Sequence, residues 1–183
     1  IKVKLNGYVN DLHAEMTMYP DFGAEMFMLT IPDARRMLVG IDASDKYYFN
    51  SKLNIVYGLR CDFSRSSIIT LTGRQTLTSI YNGELTKVNF LTNGFAQANY
   101  KLAKNTKATI GVAKAARNAT LQETYGFYLF NRLDNYDYLG NPEILSENSW
   151  NLNLGAEYSG SKMGLSVQLF GYFFTNYIAG TKQ

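Results

Sequence analysis

The sequence predicts an all-β fold in which antiparallel strands form a transmembrane β-barrel. Three observations support this prediction. Long stretches alternate between apolar and polar residues, short turns alternate along the chain with long loops, and Tyr (14) and Phe (11) are abundant whereas Pro (3) is scarce. A strand with one apolar and one polar face suits a barrel wall that has lipid on one side and water on the other.

The clearest strand runs from Trp150 to Tyr158, where every second residue is apolar. Its length is about 27 Å at roughly 3.4 Å per residue, and with a tilt of roughly 40° it covers most of an apolar band about 25 Å tall. The aromatic residues at its two ends suit the two water interfaces of a bilayer. We therefore expect Leu152 and Leu154 to contact lipid.

Composition excludes several classes of protein. The 183 residues carry a net charge of +3 with scattered Lys and Arg, so the basic stripe of a nucleic-acid-binding protein is missing. The lone cysteine, Cys61, excludes an internal disulfide and a multi-cysteine zinc cluster. The sequence has no apolar run of about 18 residues, which excludes a membrane-spanning helix but not a barrel, because half of each barrel strand is polar.

In the first part of the chain, a strand starts at Ile1, and its apolar positions change phase near Leu12. Such a change indicates a bulge or the exit from the membrane band. The region 20–32 is predicted to be a loop. Alternation then predicts strands at 35–49 and 53–63.

Residues 65–83 alternate less clearly. Their composition predicts two strand ends, at 68–71 and 75–81, on either side of a polar loop at 72–74.

The second half of the chain predicts strands at 84–102 and at 108–112. A long stretch rich in Tyr, Asn and Asp follows from Arg117 to Asn148. After the 150–158 strand, a last strand is predicted at 162–178.

The predicted connections differ systematically in length. Short turns fall at 50–52, 103–105 and 159–161, whereas long loops fall at 19–34 and 119–147, and the 65–83 region fits the long class. Consecutive antiparallel strands place these two classes at opposite ends of the sheet. This asymmetry is typical of outer-membrane barrels, which have short periplasmic turns and long outer loops.

Several segments resemble motifs of TonB-dependent outer-membrane receptors. Residues 117–125 (Arg-Asn-Ala-Thr-Leu-Gln-Glu-Thr-Tyr) are similar to the Arg-x-Pro-Thr-Leu-x-Glu-x-Tyr stretch of that family. Residues 140–150 are similar to its Gly-Asn-Pro-Asp-Leu-x-Pro-Glu-x-Ser segment, and a strand of the Leu-Gly-x-Glu-Tyr type follows at 154–158. Residues 57–62 resemble its Gly-Leu-Arg-x-Asp strand.

Two positions depart from these motifs, since Ala119 and Ser146 stand where the family usually has proline. The resemblance implies that residues 1–183 are part of a single β-barrel domain, with about eight strands of a barrel of about 22 and with the plug domain absent. Each unpaired backbone group at an open edge costs several kcal/mol in lipid. We therefore expect both edges to pair with the rest of the barrel.

The resemblance also implies a location and a function. It implies a protein of the bacterial outer membrane whose partners are the rest of the barrel, its plug, the TonB energy-coupling protein and the lipid bilayer. It implies energy-coupled uptake of a metal chelate (a siderophore or cobalamin) or of copper. It implies neither covalent chemistry nor a cofactor.

Aromatic residues of the long loop are candidates for contact with a bulky ligand, although they could equally pack within the loop. They are Tyr125, Phe127, Tyr128, Tyr136 and Tyr138. Charged residues on or near predicted polar faces are candidates for lining the lumen or contacting the plug, or for pairing within a solvated lumen. They are Arg60, Asp62, Arg117, Glu123 and Glu157.

Five of the 6 methionines lie within a short stretch that starts shortly after the only histidine. Thioether and imidazole groups suit copper, so part of this stretch is a candidate metal site. The alternative is that these methionines face lipid or fill packing gaps. The candidate ligands are His13, Met16, Met18, Met26 and Met28.

Aromatic residues of the last strand are predicted to form an interfacial girdle rather than a ligand cage. They are Tyr172, Phe173, Phe174 and Tyr177.

Three other interpretations remain open from the sequence alone. A soluble all-β ligand-binding domain would bury the apolar strand faces in an interior, and a small self-closed barrel would pair its own edges. A glycan or peptide importer would share the architecture of the metal transporter. An enzyme is not expected, because a single histidine limits histidine-based nucleophilic catalysis.

Overall fold

The structure is a computed structural model that describes residues 1–181. The elements follow in chain order as β1 (Lys2–Met18), β2 (Met26–Tyr48), β3 (Leu53–Ile68), α1 (Leu71–Thr78), β4 (Lys87–Ala103), β5 (Thr106–Arg117), α2 (Leu121–Tyr125), β6 (Leu129–Asn131), β7 (Tyr136–Tyr138), β8 (Glu147–Ser159) and β9 (Gly164–Thr175). Neither helix in residues 1–181 is long and apolar enough to cross a bilayer.

Seven of the strands form one antiparallel sheet in the order β1-β2-β3-β4-β5-β8-β9, and β6 pairs with β7 in a separate hairpin. Every neighbour in the large sheet is also the next large strand along the chain, so the sheet is an up-and-down half-barrel. Within residues 1–181, β1 and β9 each pair on one side only. The predicted all-β antiparallel fold is confirmed.

The two faces of the sheet differ as the alternation predicts. Leu152 and Leu154 lie on the apolar face and are 50% and 51% exposed, and no second sheet in residues 1–181 covers them. The opposite face carries the intervening polar residues, which are more covered. A soluble domain would bury its apolar face, so this exposure favours a surface that contacts lipid.

A small core lies on the polar inner face, at the end of the sheet where the long loops are. Its members come from β2, β3, α1, α2 and the connecting loops: Ala34, Ile68, Leu77, Leu85, Leu121 and Tyr125. Because these residues belong to different elements, the core fixes both long loops against the barrel wall.

The change of phase near Leu12 corresponds to irregular pairing between β1 and β2. Between the Leu12–Ala34 and Ala14–Ile31 pairs, Pro32 and Asp33 stand opposite His13 alone, and Thr30 is a further extra residue before the Glu15–Leu29 pair, so β2 carries two extra residues. Proline lacks an N–H group and is tolerated where a bulge interrupts the ladder. The predicted loop at 20–32 was therefore too long, since β2 already starts at Met26 and only residues 19–25 connect the strands.

The prediction of strand ends at 68–71 and 75–81 was wrong, because α1 occupies most of this region. Thr70 caps the helix by accepting a hydrogen bond from the Gly73 N–H at 3.4 Å. Leu77 is fully buried in the core under the loops. Tertiary packing of this one side chain overrides the strand preference of a threonine-rich segment.

The predicted asymmetry of the connections is confirmed. Short turns join β2 to β3, β4 to β5 and β8 to β9 at one end of the sheet. Longer segments at the other end join β1 to β2, β3 to β4 and β5 to β8. The 69–86 and 118–146 segments carry the two helices and the β6–β7 hairpin.

The predicted aromatic girdle of the last strand divides between the two faces. Phe173 pairs with Trp150 on the apolar face, whereas Tyr172 pairs with Asn151 and Phe174 with Ser149 on the polar face. The girdle prediction is therefore wrong for Tyr172 and Phe174, because it ignored the strict alternation of side chains along a strand.

Candidate functional site

The candidate site is the inner, polar face of the sheet together with the two long loops, 69–86 and 118–146, that fold onto it. The loops pack on the inner face at the end of the sheet where they emerge. We refer to this end of the wall, together with the exposed parts of the two loops, as the mouth.

The start of the long loop is organised by helix α2. The Thr120 side chain accepts from the Glu123 N–H at 3.0 Å, and the Glu123 carboxylate accepts from the Thr120 N–H at 2.6 Å. This reciprocal pair is a capping box, which gives hydrogen-bond acceptors to two N–H groups that have no partner within the helix.

Arg117 connects the two ends of the loop. Its guanidinium lies 3.0 Å from a carboxylate oxygen of Glu123 and 3.3 Å from one of Glu147, the first residue of β8. Two of the sequence segments that resemble family motifs therefore contact each other through this one side chain. The structure brings the predicted lumen residues Arg117 and Glu123 together at the start of the long loop.

The charge of Glu123 depends on these contacts. Burial acts to raise the pKa of this carboxyl, but the hydrogen bonds from Arg117 and from the Thr120 backbone outweigh burial and leave the pKa below its ordinary value. The carboxylate therefore stays ionised, and the loop start stays paired, at neutral pH.

Gly140 lies directly against the backbone of α2. Its N–H donates to the Gly126 carbonyl at 2.7 Å, and the Asn141 N–H donates to the Glu123 carbonyl at 2.9 Å. A Cβ atom at Gly140 would lie 2.6 Å from the Gly126 nitrogen and 2.8 Å from the Tyr125 nitrogen. This close approach of two backbones explains why a glycine opens the 140–150 segment.

Tyr125 is a core residue and not a ligand contact. It is fully buried, and its hydroxyl donates to the Leu85 carbonyl at 2.7 Å. Burial raises the pKa of this hydroxyl to about 12. The structure therefore removes Tyr125 from the predicted ligand-contacting set, because a side chain with no exposed surface cannot reach a ligand.

The other aromatic residues of the loop remain partly accessible. Phe127 packs against the core, and its N–H donates to the Thr30 carbonyl of β2 at 2.7 Å. Tyr128 meets the Phe127 ring edge to face, with 4.6 Å between the ring centroids. Tyr136 and Tyr138 are exposed on the β6–β7 hairpin, where the Tyr138 hydroxyl donates to Asp134 at 2.5 Å.

The middle of the wall carries a paired charge. Arg60 donates two hydrogen bonds of 2.7 Å to the two carboxylate oxygens of Asp62 and a third of 2.8 Å to Asn6. The Asp62 side chain is only 5% exposed. The sequence placed both residues on a polar face, and the structure adds that they are bound to each other, which suits a hydrogen-bonded lumen wall.

Arg36 is an inner-face residue that the sequence analysis missed. It is buried, donates to the Ser66 hydroxyl at 2.8 Å, and also donates to the Ala119 carbonyl of the long loop. Asn118 donates to the Ser64 hydroxyl at 2.7 Å beside it. The Arg35-Arg36 dipeptide could have signalled this role, because alternation forces one of two neighbouring arginines to face inward.

Glu157 lies far from this cluster, near the short-turn end of β8. It pairs in register with Lys107 and accepts from the Ser159 hydroxyl at 3.3 Å. The predicted lumen residues are therefore spread over the length of the wall and do not form a single site.

The structure brings four of the predicted metal ligands together. Met16 lies directly opposite Met28, and Met18 lies directly opposite Met26, in the β1–β2 ladder. His13 does not join them, since its ring nitrogens lie 3.2 Å from Glu15 and 2.9 Å from Asp33. Glu15 alternates with Met16 along β1, so this acidic pairing holds the ring away from the methionines.

Comparison with known families identifies the fold. Residues 6–182 match the family described as TonB dependent receptor-like, beta-barrel. The chain belongs to this family. The predicted resemblance is therefore confirmed over nearly the whole sequence and not only at the motifs.

One solved structure contains a similar fold as part of a longer chain. The chain is similar to a structure titled copper transporter OprC, with a TM-score of 0.67 and 15% identity. The match covers 92% of this chain and 26% of that one, so this receptor-like barrel segment spans about a quarter of its neighbour's length. At this identity the likeness establishes the fold alone. A search of curated proteins gives no match.

Proposed function

We propose that this chain is a wall segment of an outer-membrane transporter that takes up its substrate with energy from TonB. The main support for this proposal is the large sheet, which has an exposed apolar face and a hydrogen-bonded polar face. Lipid would cover the first face, and the second would line the route of the substrate. The long loops form the outer mouth because barrels of this kind have their long loops outside.

The proposed partners follow from the open sheet and from the family. The free edges of β1 and β9 would pair with the remaining strands of the barrel, since unpaired backbone groups are costly in lipid. A plug would occupy the lumen beside the Arg60–Asp62 pair. TonB would act on that plug, and the chain itself would carry out no covalent chemistry.

The proposed substrate is a metal chelate, such as a siderophore or cobalamin, or copper. The exposed aromatic residues Tyr128, Tyr136 and Tyr138 at the mouth support capture of a bulky chelate, because aromatic rings offer large contact surfaces. The methionines at the same end support a soft metal ion. The solved neighbour is titled a copper transporter, which agrees with a metal substrate.

The test uses the complete receptor in its own bacterium. We expect the protein in the outer-membrane fraction and expect metal uptake to fall to background when either the receptor gene or TonB is deleted. Uptake would be measured separately with a siderophore complex, with cobalamin and with copper. A receptor that purifies from the soluble fraction without detergent, or uptake that does not depend on TonB, contradicts the proposal.

A further inference from the structure

We propose that Met16, Met18, Met26 and Met28 form a thioether site for a soft monovalent cation such as Cu(I). The inference rests on the proposed transport function, and it makes the free soft ion, rather than a bulky chelate, the species that this segment binds. We refer to these four residues as the methionine quartet.

The register of β1 and β2 places the quartet in one compact patch. Directly opposed residues in an antiparallel pair have Cβ atoms about 5 Å apart, and the next pair on the same face lies about 7 Å along the strands. Met16 with Met28 and Met18 with Met26 are two such successive pairs. Methionine side chains are long and flexible, so their sulfur atoms can converge on one ion.

The quartet faces the inner side of the barrel wall. The pairing irregularity adds residues to β2 only, so alternation along β1 continues unbroken from Leu12 to Met18. Leu12 packs against the core that lies on the inner face. Met16 and Met18 therefore share that face, and the proposed ion would sit at the inner side of the mouth, where a substrate enters.

The neighbourhood of the quartet contains no competing hard site. No group of three or more His, Cys, Asp or Glu residues in the described part of the chain is arranged to hold a metal ion. His13 is occupied by Glu15 and Asp33. Thioethers without carboxylate or imidazole partners select Cu(I) over hard cations such as Mg²⁺ and Ca²⁺.

Packing does not account for Met26, and the other three members of the quartet are only partly buried. Methionine is useful in a core because it fills irregular gaps, but Met26 is 52% exposed and β2 begins at this residue. The Thr30 carbonyl, two residues after Met28, accepts from the Phe127 N–H of the long loop. The quartet thus lies beside the wall of the mouth with part of its surface open.

The experiment measures Cu(I) binding to the complete receptor in detergent, under anaerobic reducing conditions, by competition with a chromophoric Cu(I) chelator. We expect one bound Cu(I) with sulfur ligands in X-ray absorption. The M16L/M18L/M26L/M28L variant should bind Cu(I) at least about tenfold more weakly. Mutating residues that only support metal ligands already lowers metal affinity by about this factor, so removing the ligands should lower it at least as much. Methionine-to-leucine changes conserve volume and should preserve folding.

The matched controls are M37L and M163L, which change exposed methionines outside the quartet. Both should bind Cu(I) as the unchanged receptor does. The M26L/M28L variant changes only the β2 side of the patch, at the start of the strand, and provides a second measurement if the fourfold variant folds poorly. Unchanged Cu(I) affinity in M26L/M28L, or an equal loss in M37L, overturns the inference.

Failure of this inference is distinguishable from failure of the proposed function. If TonB-dependent uptake of a chelate persists while Cu(I) affinity does not depend on the quartet, only the site is wrong. If the quartet binds Cu(I) but no uptake depends on TonB, the proposed site is supported and the proposed transport function is contradicted.

Discussion

Arg117 holds the two ends of the long loop together, because its guanidinium contacts both Glu123 and Glu147. We expect R117A to loosen the 118–146 segment by about 1 kcal/mol, since each partly exposed ion pair contributes little and two act together. Limited proteolysis of the receptor should cut this segment about fivefold faster. R117K should show part of the effect, because lysine keeps the charge but not the forked geometry. Equal protection of R117A and the unchanged receptor would contradict the assigned role.

Glu123 makes the order of the same loop sensitive to acid. Its pKa is lowered in the folded protein, so its stabilising effect is present above the ordinary value of 4.5 and is lost as pH falls through the lowered folded value. Proteolytic protection of the loop should therefore decline below about pH 4.5. The E123Q variant should be less protected at neutral pH and should lose this pH dependence. A decline at the same pH in E123Q would assign the effect to another group.

Tyr125 allows a test that separates packing from ligand contact. The Y125F change leaves the Leu85 carbonyl without its donor, and an unsatisfied buried carbonyl costs about 1–3 kcal/mol. We expect a lower melting temperature and an unchanged affinity for the imported substrate. Y138F removes the hydroxyl of an exposed tyrosine of the hairpin, and its melting temperature and substrate affinity serve as the comparison for Y125F. A selective loss of substrate affinity in Y125F would return this residue to the ligand-binding set.

At the scale of elements, the contact between α2 and the 140–150 segment depends on the missing side chain of Gly140. The G140A change would place a Cβ atom against backbone atoms that cannot move independently. We expect the two segments to separate, with faster amide hydrogen exchange in 121–126. G83A is the matched control, because its Cβ atom would lie 3.1 Å from the Glu143 carboxylate, which is the far end of a flexible side chain. Slow exchange in G140A would show that the backbones do not approach so closely.

The strands could be predicted from the sequence because one face of each strand is apolar and the other is polar. The alternating burial of successive residues in β3 and β8 shows this difference between the faces. Helix α1 could not be predicted, since it is held by the burial of Leu77 in a core assembled from distant segments. The methionines stood out by residue type and by the i, i+2 spacing of Met16 with Met18 and of Met26 with Met28. The separation of His13 from Met16 and Met18 follows from alternation along β1. The pairing of Met16 with Met28 and of Met18 with Met26 depends on the extra residues in β2, which only the register reveals.

At the scale of the whole molecule, the open sheet, the asymmetric connections and the family match describe one wall segment of a receptor barrel. The two long loops are not free extensions, because the core around Tyr125 and the Arg36 contacts fasten them to the inner face. Under the proposed function, the exposed tyrosines and the methionine quartet are the parts of the mouth that a substrate would contact.

The most direct test of the central claim is the accessibility of nitroxide labels along β8 in the receptor reconstituted in lipid. Labels would be placed singly at Asn151, Leu152, Asn153 and Leu154 after replacing Cys61. We predict that 152 and 154 are accessible to oxygen, which partitions into lipid, and that 151 and 153 are not. Protection of 152 and 154 from both oxygen and a polar relaxation agent would instead show that protein covers this face, and would contradict a membrane barrel.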